Sequence, residues 1–380
     1  MTDRQFTVDN ALTDSGWIQQ PLVSISAGKI VAIEPAQQKQ AEHFTGTLLP
    51  GLFDLQVNGG GGQLLNLSPT LQTIEQMVAA HRQFGTTAML PTLITDQYSV
   101  MQSSADAVAE ALDSGLEEVL GVHFEGPFLN QKKKGVHPEH FIRSISDREL
   151  TLFCRKDLGK VLVTLAPDNV SADVIKDLVG QGIHVCLGHS NATYEQTCAA
   201  LEAGATGFTH IYNAMSPLQS RAPGMVGAAL ADKSSFAGLV LDHYHVHPAA
   251  SRFAIDCKGI DKVFLVTDAM AHVGSQSDEL PYFDSVIRRQ NNKLTTPDGT
   301  LAGSCLDMWQ AVLNAHRDLG LSLQDAVIMA AKTPASYLGL DNVVGSIKPG
   351  NRADFILINQ DLAIDKVFVA GDIRYNGAGA

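Results

Sequence analysis

LGHSNATYEQTCAALEAGATGFTHIYNAMSPL, residues 187–218, is the stretch from which the fold can be read. An apolar run at 183–187 stops at Gly188-His189-Ser190. The pattern that follows is helical, with Tyr194, Thr197, Cys198 and Leu201 on one face and Gly204 as its stop signal. A second short run, Gly207-Phe208-Thr209, then delivers His210. The order is strand, helix, strand, with a histidine at the exit of each strand. Right-handed connections make such strands parallel, so both imidazoles leave at the same edge of one sheet. A single histidine there is as easily a hydrogen-bonded structural residue. Two at equivalent positions of one unit point to metal ligation.

The same alternation runs outward in both directions. Candidate strands fall at 52–57, 87–93, 118–124, 161–165, 184–187, 207–209, 237–241 and 263–266, with helical patterns such as 71–84, 99–113 and 172–180 between them. Strands and helices alternating over 51–343 fit a TIM-like (β/α)8 barrel, for which about 250 residues is typical. An open doubly wound sheet is the rival. No GxGxxG follows the first strand, and polar clusters recur after many strands instead of at one crevice, which favours the barrel. Residues 1–50 read as short strands at 5–8, 16–18, 22–25 and 29–33. Long helices are expected at 306–319 and 323–331. Then 343–350, VVGSIKPG, opens further β structure at 354–358 and 366–369. The expected architecture is an α/β barrel over 51–343, with 1–50 and 344–380 joined into one small discontinuous β-sandwich domain.

The chain has 380 residues, 45% apolar and 18% charged, as a water-soluble globular protein does. A formal charge of −13 argues against nucleic-acid or anionic-membrane partners, which need a basic surface. A small anionic substrate needs only one or two local cations. MTDRQFTVDN lacks the basic-then-apolar pattern of a signal peptide, and no apolar run reaches the ~20 residues that span a bilayer. Cys154, Cys186, Cys198, Cys257 and Cys305 are widely spaced and without a CxxC, which suits reduced thiols in a cytoplasmic enzyme.

Barrel enzymes place reactive groups where strands exit into the βα loops. Glu125 ends the third strand, His189 the fifth, His210 the sixth and Asp268 the eighth. Two neutral nitrogens and one carboxylate, with a fourth position open, make a catalytic zinc arrangement. Asp268 can cap the next loop, or act as general base toward the attacking water and then as general acid toward the leaving group. His243, His245 and His247 alternate along one face and allow either a second metal site or one substrate contact with two solvated neighbours. Lys132-Lys133-Lys134 reads as a solvated loop tip, the four glycines 59–62 as an active-site loop, and Arg221 as either an anion clamp or a surface residue.

These residues stand in runs that resemble the amidohydrolase superfamily, and within it the N-acetylglucosamine-6-phosphate deacetylases, over nearly the whole chain. The runs are PGLFD at 50–54, VHFEGPF at 122–128, KGVHP at 134–138, LGHS at 187–190, THIYNAMSP at 209–217, LVTDA at 265–269, LAGS at 301–304 and GSIKPGNRAD at 345–354. The resemblance implies hydrolysis of the acetamide of N-acetyl-D-glucosamine 6-phosphate in amino-sugar catabolism. One divalent ion per subunit, zinc or alternatively ferrous iron or another divalent metal, would be held by Glu125, His189 and His210. Asp268 would be the acid/base and His137 would polarise the acetyl carbonyl. Val136, His137, Asn213, Ala214, His245, Leu301, Ala302 and Gly303 would hold the sugar phosphate. Arg221 would reach the phosphate in a neighbouring subunit, which implies a homodimer or homotetramer. One departure stands out: many superfamily members carry His-x-His at the end of the first strand, and here it reads Gln56-Val57-Asn58. Amides are poor transition-metal ligands, so a second metal is not expected there.

Overall fold

The computed structural model describes residues 3–35 and 41–377. The chain begins with β1 (Arg4–Thr13), β2 (Gly16–Gln19), β3 (Pro21–Ser26), β4 (Lys29–Pro35) and β5 (Glu42–Pro50). Gly51 alone separates β5 from β6 (Leu52–Val57), in which every residue is buried. A Cβ at Gly51 would lie 2.1 Å from Thr87 Oγ1, so only glycine lets the chain pass into the barrel here. After the small ribbon of β7 (Gly59–Gly60) and β8 (Gln63–Leu64) come β9 (Thr86–Ile94), β10 (Gly121–Glu125), β11 (Lys160–Leu165), β12 (His184–Leu187), β13 (Gly207–Phe208), β14 (Phe236–Leu239) and β15 (Val263–Leu265).

The barrel strands β6 and β9 to β15 pair in parallel and in chain order. Burial on both faces is why most of them read as largely apolar runs in the sequence, although β6 carries Asp54 and Gln56. The first and last strands meet through a bridge between Val57 and Ala269, with Asn58 N–H and Gly59 N–H donating to Ala269 O at 2.9 and 3.0 Å. The barrel is thus nearly closed. Among the barrel strands the expected limits hold to within a few residues, the largest shift being β10, which starts at Gly121 instead of 118; in the terminal sheet β1 runs on to Thr13 instead of ending at 8. The helix Tyr194–Glu202 forms as expected, with a Thr193/Gln196 capping box. Its buried positions are Thr197 and Ala200, so the inward face is rotated from the one the larger side chains suggested.

Besides the β7–β8 ribbon and the chain's last strand, Asp372–Asn376, two features were not foreseen. β5 carries a half-exposed, partly polar sequence that hid it. An antiparallel insertion, β16 (Glu279–Tyr282), β17 (Ser285–Gln290) and β18 (Lys293–Thr295), follows the last barrel strand. Conversely, residues 343–350 form turns and no strand. Gly345 and Gly350 take left-handed φ of 84° and 94°, and the Asn351 side chain donates to the carbonyls of Asp341, Val344 and Ser346.

The terminal strands, with β19 (Phe355–Ile358), β20 (Ile364–Val369) and β21 (Asp372–Asn376), make one sheet in the order β21-β20-β19-β5-β1-β3-β4, with β2 on β1. The sheet folds over on itself. Phe6 on β1 stacks on Phe368 of β20 at 5.7 Å, although β19 and β5 lie between those strands, and Phe44 sits edge-on to both. The sandwich-like layers therefore come from one bent sheet. Arg352 ties it to the barrel. The guanidinium pairs with Asp354 and donates to Thr87 O at 3.1 Å and to Glu117 O.

Candidate active site

The exits of three barrel strands share a backbone feature. His189, His210 and Asp268 take φ of 47°, 31° and 51°, the left-handed region that L residues adopt at a cost. This bend falls two or three residues beyond the end of each strand. Together with Glu125 at the end of β10, these four side chains meet at one cavity. His189 Nε2 lies 3.2 Å and His210 Nε2 3.0 Å from Glu125 Oε1, and the two Nε2 atoms are 3.0 Å apart. Glu125, His189 and His210 are the one cluster of metal-ligating type found among the described residues.

The donor set fits a divalent cation. His189 Nδ1–H donates to Lys133 O at 2.8 Å, which fixes the tautomer with the Nε2 lone pair facing the cluster. Two imidazole lone pairs and a carboxylate at this spacing repel unless a cation or proton lies between them. Ligands about 2.0–2.1 Å from a tetrahedral zinc stand roughly 3.3 Å apart, close to the separations observed. Lys133 is therefore more than a solvated loop tip, because its carbonyl orients a candidate ligand. Burial pushes the Glu125 carboxyl up, but hydrogen bonds to His189 and His210 outweigh it and hold the group well below the usual range.

Gln56 and Asn58 act as hydrogen-bond donors. Gln56 Nε2–H donates to Glu125 Oε1 and to Asp268 Oδ1, both at 3.1 Å, and Asn58 Nδ2–H donates to Asp268 Oδ1 at 2.7 Å. The Asp268 carboxyl is pushed up, first by burial and next by the Glu125 charge. His137 is held near a pKa of about 3, by burial first and then by the charge of His189. Thr95 N–H donates to its Nδ1 at 3.3 Å, which leaves the ring proton on Nε2. That nitrogen lies 4.0 Å from Glu125 Oε2.

The cavity holds about 200 Å³. Val136, His137, Asn213, Ala214, His245, Leu301 and Gly303 line it with the four polar groups above and with Asn58. Ala302 is fully buried and not part of the lining; its N–H goes to Leu294 O. Arg221 is exposed and does not line the cavity. The histidine run divides. His245 faces the cavity and is held by Asp242 at 2.7 Å, His243 pairs with Asp318 at the surface, and His247 Nδ1 caps the helix Pro248–Lys258. A second metal site from these three does not form.

Sequence reading missed the partners Thr95 and Asp242, and the lining residues Met270 and Thr300. Only Asp242 left a signal: an aspartate three residues before a histidine can accept from its backbone N–H, as it does here at 2.8 Å.

The family model "Amidohydrolase family" matches residues 47–374. An N-acetylgalactosamine-6-phosphate deacetylase of Shewanella sp. (strain ANA-3) is 45% identical over 98% of this chain and 97% of its own. The crystal structure of N-acetylglucosamine-6-phosphate deacetylase from Pasteurella multocida superposes with a TM-score of 0.95 at 34% identity, covering 99% of this chain and all of that one. A mutant N-acetyl-D-glucosamine-6-phosphate deacetylase from Mycobacterium smegmatis, in complex with N-acetyl-D-glucosamine-6-phosphate, gives 0.92 at 30% identity, covering 98% and 99%. With the family model spanning the barrel and the C-terminal strands, and relatives aligned nearly end to end, the chain belongs to the amidohydrolase family.

Proposed function

We propose that the protein deacetylates N-acetyl-D-glucosamine 6-phosphate, releasing D-glucosamine 6-phosphate and acetate as a step of amino-sugar catabolism in the cytoplasm. The observation that carries this reading is a carboxylate, Asp268, poised beside a three-ligand cluster in one small cavity. In this reading residues 51–343 are the catalytic unit and the terminal strands the β domain. Glu125, His189 and His210 hold one divalent ion, zinc by preference. When bound, it activates a water and polarises the amide carbonyl. Asp268 Oδ1 is engaged by two amide donors, and Oδ2 has no hydrogen-bond partner among the described residues. Oδ2 takes the proton of the attacking water and returns it to the amide nitrogen, because an amine leaves badly unless protonated. His137 donates from Nε2 to the acetyl oxygen. Val136, Asn213, Ala214, His245, Leu301 and Gly303 hold the sugar phosphate.

None of the cavity-lining residues is Lys or Arg. A phosphate dianion buried there needs a cation from elsewhere, which supports Arg221 of a neighbouring subunit in a homodimer or homotetramer. The test is acetate release together with metal analysis. Turnover is expected for the phosphorylated sugar, at least tenfold less for plain N-acetylglucosamine, and none after chelation. Equal turnover of the two sugars would return the protein to a general family deacetylase, acting on another N-acetylated sugar or amino acid. A second reading has its own support: the 45% relative is named for the galactosamine compound, the C4 epimer. Running both epimers side by side and comparing kcat/KM decides which one the site prefers.

A further inference from the structure

The inward-facing residues of the first barrel strand form a rail that holds the last strand's exit. Asp54, Gln56 and Asn58 alternate along β6 and its end, so they share one face. Asp54 accepts from Thr267 N–H at 3.3 Å and from Thr267 Oγ1–H, one residue before Asp268. Gln56 and Asn58 then donate to Asp268 Oδ1. We propose that this rail, and Asn58 above all, positions Asp268 for proton transfer by committing Oδ1 to two neutral donors and leaving Oδ2 free. The proposal rests on the acid/base role given to Asp268 above.

Three observations point this way. The orientation of the Asn58 amide is fixed by chemistry: reversing it would set two acceptors 2.7 Å apart. The orientation adopted leaves Asn58 Oδ1 buried without a partner among the described residues, so it satisfies Asp268 at the expense of Asn58 itself. Asp268 also stands on left-handed backbone at φ 51°, a conformation that persists only where the surroundings over-determine it. Neutral N–H donors suit the task. They orient a carboxylate without adding charge next to Glu125, and offer no lone pair toward Asp268. Gln56 does the same while also touching Glu125 Oε1, so it bridges a candidate metal ligand and the acid/base.

The test uses the metal-loaded enzyme. Asn58→Ala is expected to lower kcat about 10–100-fold, the usual loss for a supporting partner, with KM within about twofold and metal content unchanged. The effect should run through Asp268: in an Asp268→Asn background the same change should cost under about twofold more. It should also depend on the leaving group. A 2-O-acetyl hexose 6-phosphate releases an alcohol, which needs less help from an acid, so its penalty should be several-fold smaller. Should Asn58→Ala not fold, Asn58→Ser carries the same measurements. Near-normal kcat in Asn58→Ala, a full additional loss in the Asp268→Asn background, or equal penalties on amide and ester would each overturn the positioning role. If Asp268→Asn itself turns over normally, the acid/base assignment fails instead, and the two failures are told apart.

Discussion

At Asp268 one carboxylate oxygen is committed and the other is free, on backbone that glycine would adopt more readily. Asp268→Asn keeps the shape but cannot move a proton. Its kcat should fall by about 10²–10⁴, the range for general acid–base catalysis, with bound metal retained on elemental analysis. Near-normal turnover would remove Asp268 from the chemistry. Asp54 offers a separate test at this scale. Burial pushes its carboxyl up to about 7 from an ordinary 3.8. The folded chain therefore keeps a proton that the unfolded chain loses in this window. Its contribution to stability is full below about pH 4 and declines as pH rises toward 7. Asp54→Asn lacks this slope, so melting curves should show the variant gaining on the parent between pH 5 and pH 8. Parallel curves would show that Asp54 does not titrate there. Glu125, His189, His210 and Asp268 were legible in the sequence because each stands where an apolar run stops. Thr95 was not, because it reaches His137 across 42 residues and only the closed barrel brings them together.

At the scale of elements, legibility followed burial. Most barrel strands, covered on both faces, read as largely apolar runs, whereas β5 and the β16–β18 insertion show water on one side and mix charge into the pattern. The insertion matters to the site. It delivers Thr300, Leu301 and Gly303 to the cavity and packs Tyr282, Ile287 and Leu294 beneath it. Tyr282 O–H donates to Val136 O at 2.8 Å, tying the insertion to the loop that carries His137. One such hydrogen bond is worth about 1 kcal/mol, or roughly fivefold in binding. Tyr282→Phe should accordingly raise KM about two- to fivefold and leave kcat nearly unchanged. A fall in kcat with KM unchanged would instead mean that the insertion orients His137 during reaction.

For the whole molecule, the net charge of −13 sets a problem for any phosphorylated substrate, and among the described residues no Lys or Arg lines the cavity. If Arg221 serves the neighbouring subunit, then Arg221→Ala should raise KM for the phosphorylated sugar by tenfold or more. Mixing it with Asp268→Asn under exchange conditions should restore part of the activity, because a mixed pair contains one site with both an intact Asp268 and a donated Arg221. No recovery, with subunit exchange verified, would place Arg221 on an ordinary surface. Sequence alone could propose this arrangement only by resemblance, since no periodicity in one chain encodes what a second copy contributes.

The left-handed exits at His189, His210 and Asp268 have a consequence for how such a chain can change over generations. Glycine is the residue the backbone prefers at all three, and His210 also leaves Nδ1 buried without a partner among the described residues. Selection for stability alone would drift toward residues that erase the chemistry. His210→Gly should lose the rise in melting temperature that the parent gains when metal is supplied. Foldability and activity thus pull in opposite directions at these positions, and a screen that rewards only a well-folded chain would select against the residues that do the work.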